Sequence, residues 1–177
     1  MKKFLTLAAL LVVGFSVNQA KAQTTTGTAN LNVTLAAAQN ISVTSAAVEL
    51  EFSTAEHYNT GVETPVANHI TASSSGGFMI SVKANSANLV GPNTSVIPVT
   101  TLSVVASAGT YNPAPGSPNY QTVASINNTV NQPVVTSGGG ANAATFNIKY
   151  KASGGADYIN KETGSYVATL TYTIAPN

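Results

Sequence analysis

In 177 residues the chain carries seven lysines, no arginine, six carboxylates and no cysteine. The missing cysteine excludes disulfide staples, thiolate metal sites and cysteine catalysis, so an apolar core must hold the fold by itself. Only four lysines, scattered, lie beyond residue 22, too few to neutralise a run of phosphates, which argues against a nucleic-acid partner and against attachment to an anionic membrane surface.

Lys2 and Lys3 lead into an apolar run over residues 4–17, and Ala20-Lys21-Ala22 closes it in the small-x-small pattern that signal peptidase cleaves. The run is shorter than the roughly 20 apolar residues of a membrane span. Residues 1–22 are therefore read as a removable signal peptide. Residues 23–177 are read as one domain, exported to the cell surface, the extracellular space or the periplasm without membrane insertion. Cleavage after Ala22 removes three lysines and leaves four against six carboxylates, a net charge of −2. Solubility then falls to Ser, Thr, Asn and Gln.

From there on the pattern is period-2 alternation, the mark of strands with one buried face. Leu31, Val33 and Leu35 alternate with Asn32 and Thr34, and Ile41 and Val43 continue after a break. Val48, Leu50 and Phe52 oppose Glu49 and Glu51. Phe78, Ile80, Val82 and Ala84 form the next run, then Leu102, Val104 and Ala106, then Phe146, Ile148 and Tyr150. The last run is Tyr166, Ala168, Leu170, Tyr172 and Ile174. Pro98 marks an edge or bulge, since proline cannot donate to a ladder. Serine-, glycine- and proline-rich clusters separate the runs, and residues 111–120 read as a long surface loop. No segment after residue 22 carries a helical apolar stripe. Short strands with a wet outer face and turns between them predict an all-β fold, an antiparallel two-sheet Ig-like β-sandwich.

No residue set points to catalysis or to a cofactor. His57 and His69 lie 12 residues apart with Glu56 and Glu63 nearby, which does not specify the three or four convergent ligands of a zinc site. There is no Gly-x-Ser-x-Gly elbow, and Asp157 is the only aspartate available to a triad or calcium loop. Glu49 and Glu51 read as a solvated strand face rather than a glycosidase pair. Asn-x-Ser/Thr sequons at Asn32, Asn40, Asn93 and Asn127 are expected by chance in so Asn- and Thr-rich a chain.

The ends carry what remains. Gly164-Ser165-Tyr166 followed by the run to Ile174 resembles the final strand of two exported β-sandwich groups. One is the WxL domain of bacterial surface proteins, with Tyr172 in place of its tryptophan, Ile174 in place of its leucine, and residues 77–82 similar to its mid-domain strand. That resemblance implies a module recognising peptidoglycan or another envelope glycan, for which Tyr58, Tyr111, Tyr120 and Tyr158 are the candidate stacking residues. The other group is the fimbrial subunits of bacterial pili, many of which carry a glycine at the position of Gly164. Here the penultimate residue is Pro176 rather than tyrosine. The short Leu-x-Phe strand at residues 48–53 resembles both groups.

The pilus resemblance implies a structural or adhesive surface subunit whose partners are other subunits, including further copies of itself. Residues 23–35 would then be an exchangeable strand that completes a neighbour's sheet. The candidate strand-exchange residues are Leu31, Val33 and Leu35 of that segment, with Gly164, Tyr166, Leu170 and Tyr172 of the C-terminal run.

Overall fold

The computed structural model describes residues 24–110 and 116–177. The signal-peptide reading of residues 1–22 lies outside the described residues, as does Tyr111. The chain divides into two units, Met1–Thr34 and Leu35–Asn177. In the first, residues 24–34 contain no helix or strand.

The regular structure of the second unit is mostly strand. In chain order these are β1 (Gln39–Val43), β2 (Val62–Ser74), β3 (Phe78–Ala84), β4 (Asn88–Val90), β5 (Val96–Pro98), β6 (Leu102–Ala108), β7 (Asn119–Tyr120), β8 (Thr122–Val123), β9 (Gln132–Ser137), β10 (Ala141–Ala152) and β11 (Leu170–Pro176). One short helix, α1 (Ala55–Thr60), lies between β1 and β2, its amino end capped by Thr54. The first sheet has the order β1-β2-β10-β6-β8 and the second β11-β3-β9-β7, while β4 and β5 pair apart as a hairpin. Every pairing is antiparallel. The fold is all-β.

Alternation explains the core. Phe78, Ile80, Val82 and Ala84 of β3 are wholly buried, as are Ala144, Phe146 and Ile148 of β10, and they share one apolar cluster with Ile70, Val104, Val134 and Val135. The Phe78 and Phe146 rings meet edge-on, 6.3 Å apart. At about 1.5–3 kcal/mol for each large side chain removed from water, this cluster is the main source of stability in a chain without disulfides.

Several expectations need correction. Residues 31–35 are not a strand: the segment 24–37 pairs with no strand among the described residues. Residues 47–53 keep the alternation, with Val48, Leu50 and Phe52 half-buried and Glu49 and Glu51 exposed, yet they form no ladder either. Their apolar side chains meet the core, and the carbonyl of Glu49 accepts from a side chain, Thr64 Oγ1, at 2.8 Å. The last strand starts at Leu170 rather than Tyr166, because the preceding stretch touches the hairpin through a single Val90–Val167 bridge. β2, the longest strand, and α1 are not signalled by alternation. Pro98 sits in the two-stranded hairpin, where both strands are edges. Pro133, inside β9, coincides with a register shift opposite Ile80 and Ser81, so the missing donor falls at a bulge.

A second bulge turns a histidine inward. Between Phe146 and Ile148 the β2–β10 register shifts, and Asn68 takes the left-handed conformation (φ 48°). Its backbone N–H donates to Asn147 Oδ1 (2.7 Å), and its own Oδ1 accepts from Thr110 N–H (2.8 Å). Left-handed backbone is tolerated by asparagine because its short amide can bond locally. The consequence is that His69 and Ile70, consecutive residues, are both buried.

Candidate strand-exchange site

On the giving side, Leu31, Val33 and Leu35 are 88%, 74% and 91% exposed. Three aliphatic side chains at alternate positions, free of charge from residue 24 to residue 48, form an apolar stripe that water solvates poorly.

On the receiving side, the sheets end in four outer strands. β7 and β8 have two residues each, too short to template another strand. β1 has five residues and β11 seven. Cα atoms of β1 and β11 approach within 8 Å, so these two longer edges lie on the same side of the molecule. Neither carries a charged side chain, the usual guard of an exposed edge.

The ladder fixes which backbone groups the β11 edge presents. The Asn85 N–H donates to the Thr169 carbonyl and the Asn177 N–H to the Gly77 carbonyl, each at the register that pairs Thr171 with Lys83 and Thr173 with Ser81. In an antiparallel pair the bonded residues alternate. Thr171, Thr173 and Ala175 therefore point their N–H and C=O at β3, and Leu170, Tyr172 and Ile174 point theirs outward. The same reasoning on β1 turns Gln39, Ile41 and Val43 outward, since Thr44 donates to His69 and Ser75 to Ala38.

The outward-bonding residues are also the ones whose side chains turn toward the core, and here the core is thinly covered. Leu170, Tyr172, Ile174 and Ile41 are only half-buried, whereas the corresponding residues of β3 are fully buried. One side of this unit thus combines ladder groups that pair with no strand among the described residues with incompletely covered apolar side chains.

β11 is anchored at its start by a corner. Gly164 has φ 151°, and a Cβ there would sit 2.5 Å from Pro92 Cγ. The Tyr166 ring lies against Gly91, where a Cβ would come within 2.4 Å of it. The Tyr166 hydroxyl is 2.9 Å from Ser95 Oγ and 3.0 Å from the Glu162 carbonyl oxygen. Of the four C-terminal candidates, Leu170 and Tyr172 are on the edge strand, and Gly164 and Tyr166 hold the turn that leads to it.

Behind the edge lies a polar chain that side-chain alternation does not reveal. His69 Nε2 is 2.9 Å from Tyr150 Oη, which is 2.8 Å from Tyr172 Oη. The two tyrosine rings stand edge-on to the imidazole, at 5.5 Å and 6.4 Å. The chain joins β2 and β10 of one sheet to β11 of the other. Burial holds both hydroxyls well above the ordinary tyrosine range, so they remain neutral donors. The asparagine at position 68, a residue type that tolerates left-handed backbone, is the one local signal that the next side chain turns inward.

The stacking candidates are arranged differently. Tyr158 is buried, 7% exposed, stacked on Phe52 at 4.5 Å, and its hydroxyl meets Thr101 Oγ1 at 2.7 Å. Tyr58 packs on the same Phe52 at 5.3 Å, and Tyr120 packs on Phe146 at 6.3 Å. These rings spend their faces on other rings of the protein rather than forming one open platform. Among the described residues no group of three or more His, Asp or Glu converges as a metal site. No helix there is long and apolar enough to cross a membrane.

Neither a protein-family model nor a curated protein matches this chain.

Proposed function

We propose that this protein is an exported, non-enzymatic surface subunit, fimbria-like or adhesive, with an Ig-like β-sandwich that joins copies of itself by strand addition. The observation that carries this reading is the pairing of two complementary features in one chain. Leu31, Val33 and Leu35 form an exposed apolar stripe without a ladder, and β11 is an uncharged edge with outward N–H groups and half-covered apolar side chains. A strand laid on β11 places alternate side chains over Leu170, Tyr172 and Ile174 and bonds to their backbone groups. Apolar burial contributes more than the new ladder does, because each ladder bond only replaces a bond to water and nets about 0.5–1.5 kcal/mol.

The mature chain, residues 23–177, is expected to give a ladder of SDS-resistant multimers on unboiled gels. Deleting residues 23–35 should leave only monomer while circular dichroism shows an unchanged β fold. A chain that stays monomeric with the segment present, or a ladder that survives its deletion, would refute the reading.

A further inference from the structure

We infer that His69 is a proton-operated latch on β11: when its imidazole takes up a proton, the polar chain between the two sheets loses its fit and the edge strand opens. This goes beyond the strand-addition reading and does not depend on it, because it concerns how β11 is held to its own molecule.

His69 is 2% exposed, and its Nδ1 is buried without a hydrogen-bond partner among the described residues, while Nε2 faces Tyr150 Oη. A neutral imidazole has one N–H and one lone pair, so a single partner with a reversible hydroxyl serves either tautomer. The imidazolium has two N–H donors and finds one acceptor. Its second donor is left buried without an acceptor among the described residues, at the desolvation cost of an unmatched charged group.

Among the described residues no carboxylate offsets that cost. β1 and β11 carry no charged residue, and from β10 and β11 the titratable groups facing His69 are the hydroxyls of Tyr150 and Tyr172. Glu63 of β2 and Lys149 of β10 are instead engaged with one another on the exposed face, at 3.2 Å. Lys151 of β10, and Glu49 and Glu51 of the preceding run, are exposed as well. Burial accordingly lowers the His69 pKa below 6.5.

A folded-state pKa below the open-state value means that the open form binds more protons. Closure is then fully favoured above about pH 6.5 and weakens as the pH falls toward the folded-state value. Opening at β11 matters most because Tyr172 is the residue through which this strand joins the polar chain.

The test is amide hydrogen exchange of the full mature protein between pH 7.5 and 4.5, corrected for the intrinsic pH dependence. The amides of Thr171, Thr173 and Ala175, which point at β3, are the reporters. Their opening constant is expected to rise by up to about tenfold per pH unit below 6.5, and His69→Gln should abolish the rise. A wild-type opening constant that is flat with pH, or an equal slope in His69→Gln, would overturn the proposal. Should the variant fail to fold, the wild-type imidazole resonances decide. His69 titrating near 6.5 or above, with β11 unperturbed, rejects the latch. A depressed titration coincident with β11 opening supports it.

Discussion

Ile174→Pro is expected to abolish multimer formation while the monomer stays folded. Ile174 is one of the three β11 residues whose N–H points away from β3, so proline removes a donor from the open edge and none from the β3–β11 ladder. Proline is tolerated at an edge position whose N–H faces solvent. Its ring also obstructs an incoming strand. The loss of the half-buried isoleucine should cost the monomer no more than about 1–3 kcal/mol. Thr173→Pro, one residue earlier, removes a ladder donor and should unfold the edge, which separates a blocked surface from a broken strand. Size-exclusion chromatography with the SDS ladder reads the first effect and thermal denaturation the second.

Phe146→Ala should have the largest effect on stability. Phe146 is fully buried on β10, touching Phe78 of the opposite sheet and Tyr120. Truncating such a ring leaves a cavity and typically costs about 3–5 kcal/mol, out of a total that for most domains is about 5–15 kcal/mol. With no disulfide to limit the unfolded chain, the urea midpoint should fall by about 1.5–3 M. Val33→Ala, on a residue that is 74% exposed, should shift the monomer by less than about 0.5 kcal/mol. A Phe146→Ala midpoint within 0.3 M of wild type, on the order of 0.5 kcal/mol, would mean that the cluster does not hold the sheets together.

Where side-chain alternation runs unbroken and one face is buried, as in residues 78–84 and 146–150, the strand is evident from its residues. β2 is not, because Pro65 and the bulge at Asn68 break its alternation: Val62, Thr64 and Val66 turn inward before the bulge and Ile70, Ala72 and Ser74 after it, with His69 turned in between them. The helix α1 has six residues and buries none of them completely, so it has no apolar stripe to find. Residues 31–35 show the opposite mismatch. Their alternation is clean, but a strand needs a partner ladder, and none is present among the described residues. That contrast between pattern and structure is what draws attention to the segment.

The receiving edge is legible in the sequence as a strand but not as an edge. Which strand ends a sheet depends on pairings far apart in sequence, such as β11 with β3 and not with β10. The His69–Tyr150–Tyr172 chain is hidden for the same reason. Its members are 81 and 22 residues apart, and only the bulge brings the imidazole inward.

Because the chain has no native cysteine, the central claim can be tested by cross-linking single introduced thiols. Chains carrying Asn32→Cys or Thr34→Cys are mixed with chains carrying Thr171→Cys or Thr173→Cys and oxidised. All four positions lie on exposed faces, so none disturbs the core. Strand addition at β11 predicts a disulfide-linked dimer from at least one giver–receiver pair, lost when Ile174→Pro is present on the receiver. The result that would contradict it is no such dimer from any pair, or equal cross-linking to a Ser103→Cys control on the outer face of the other sheet.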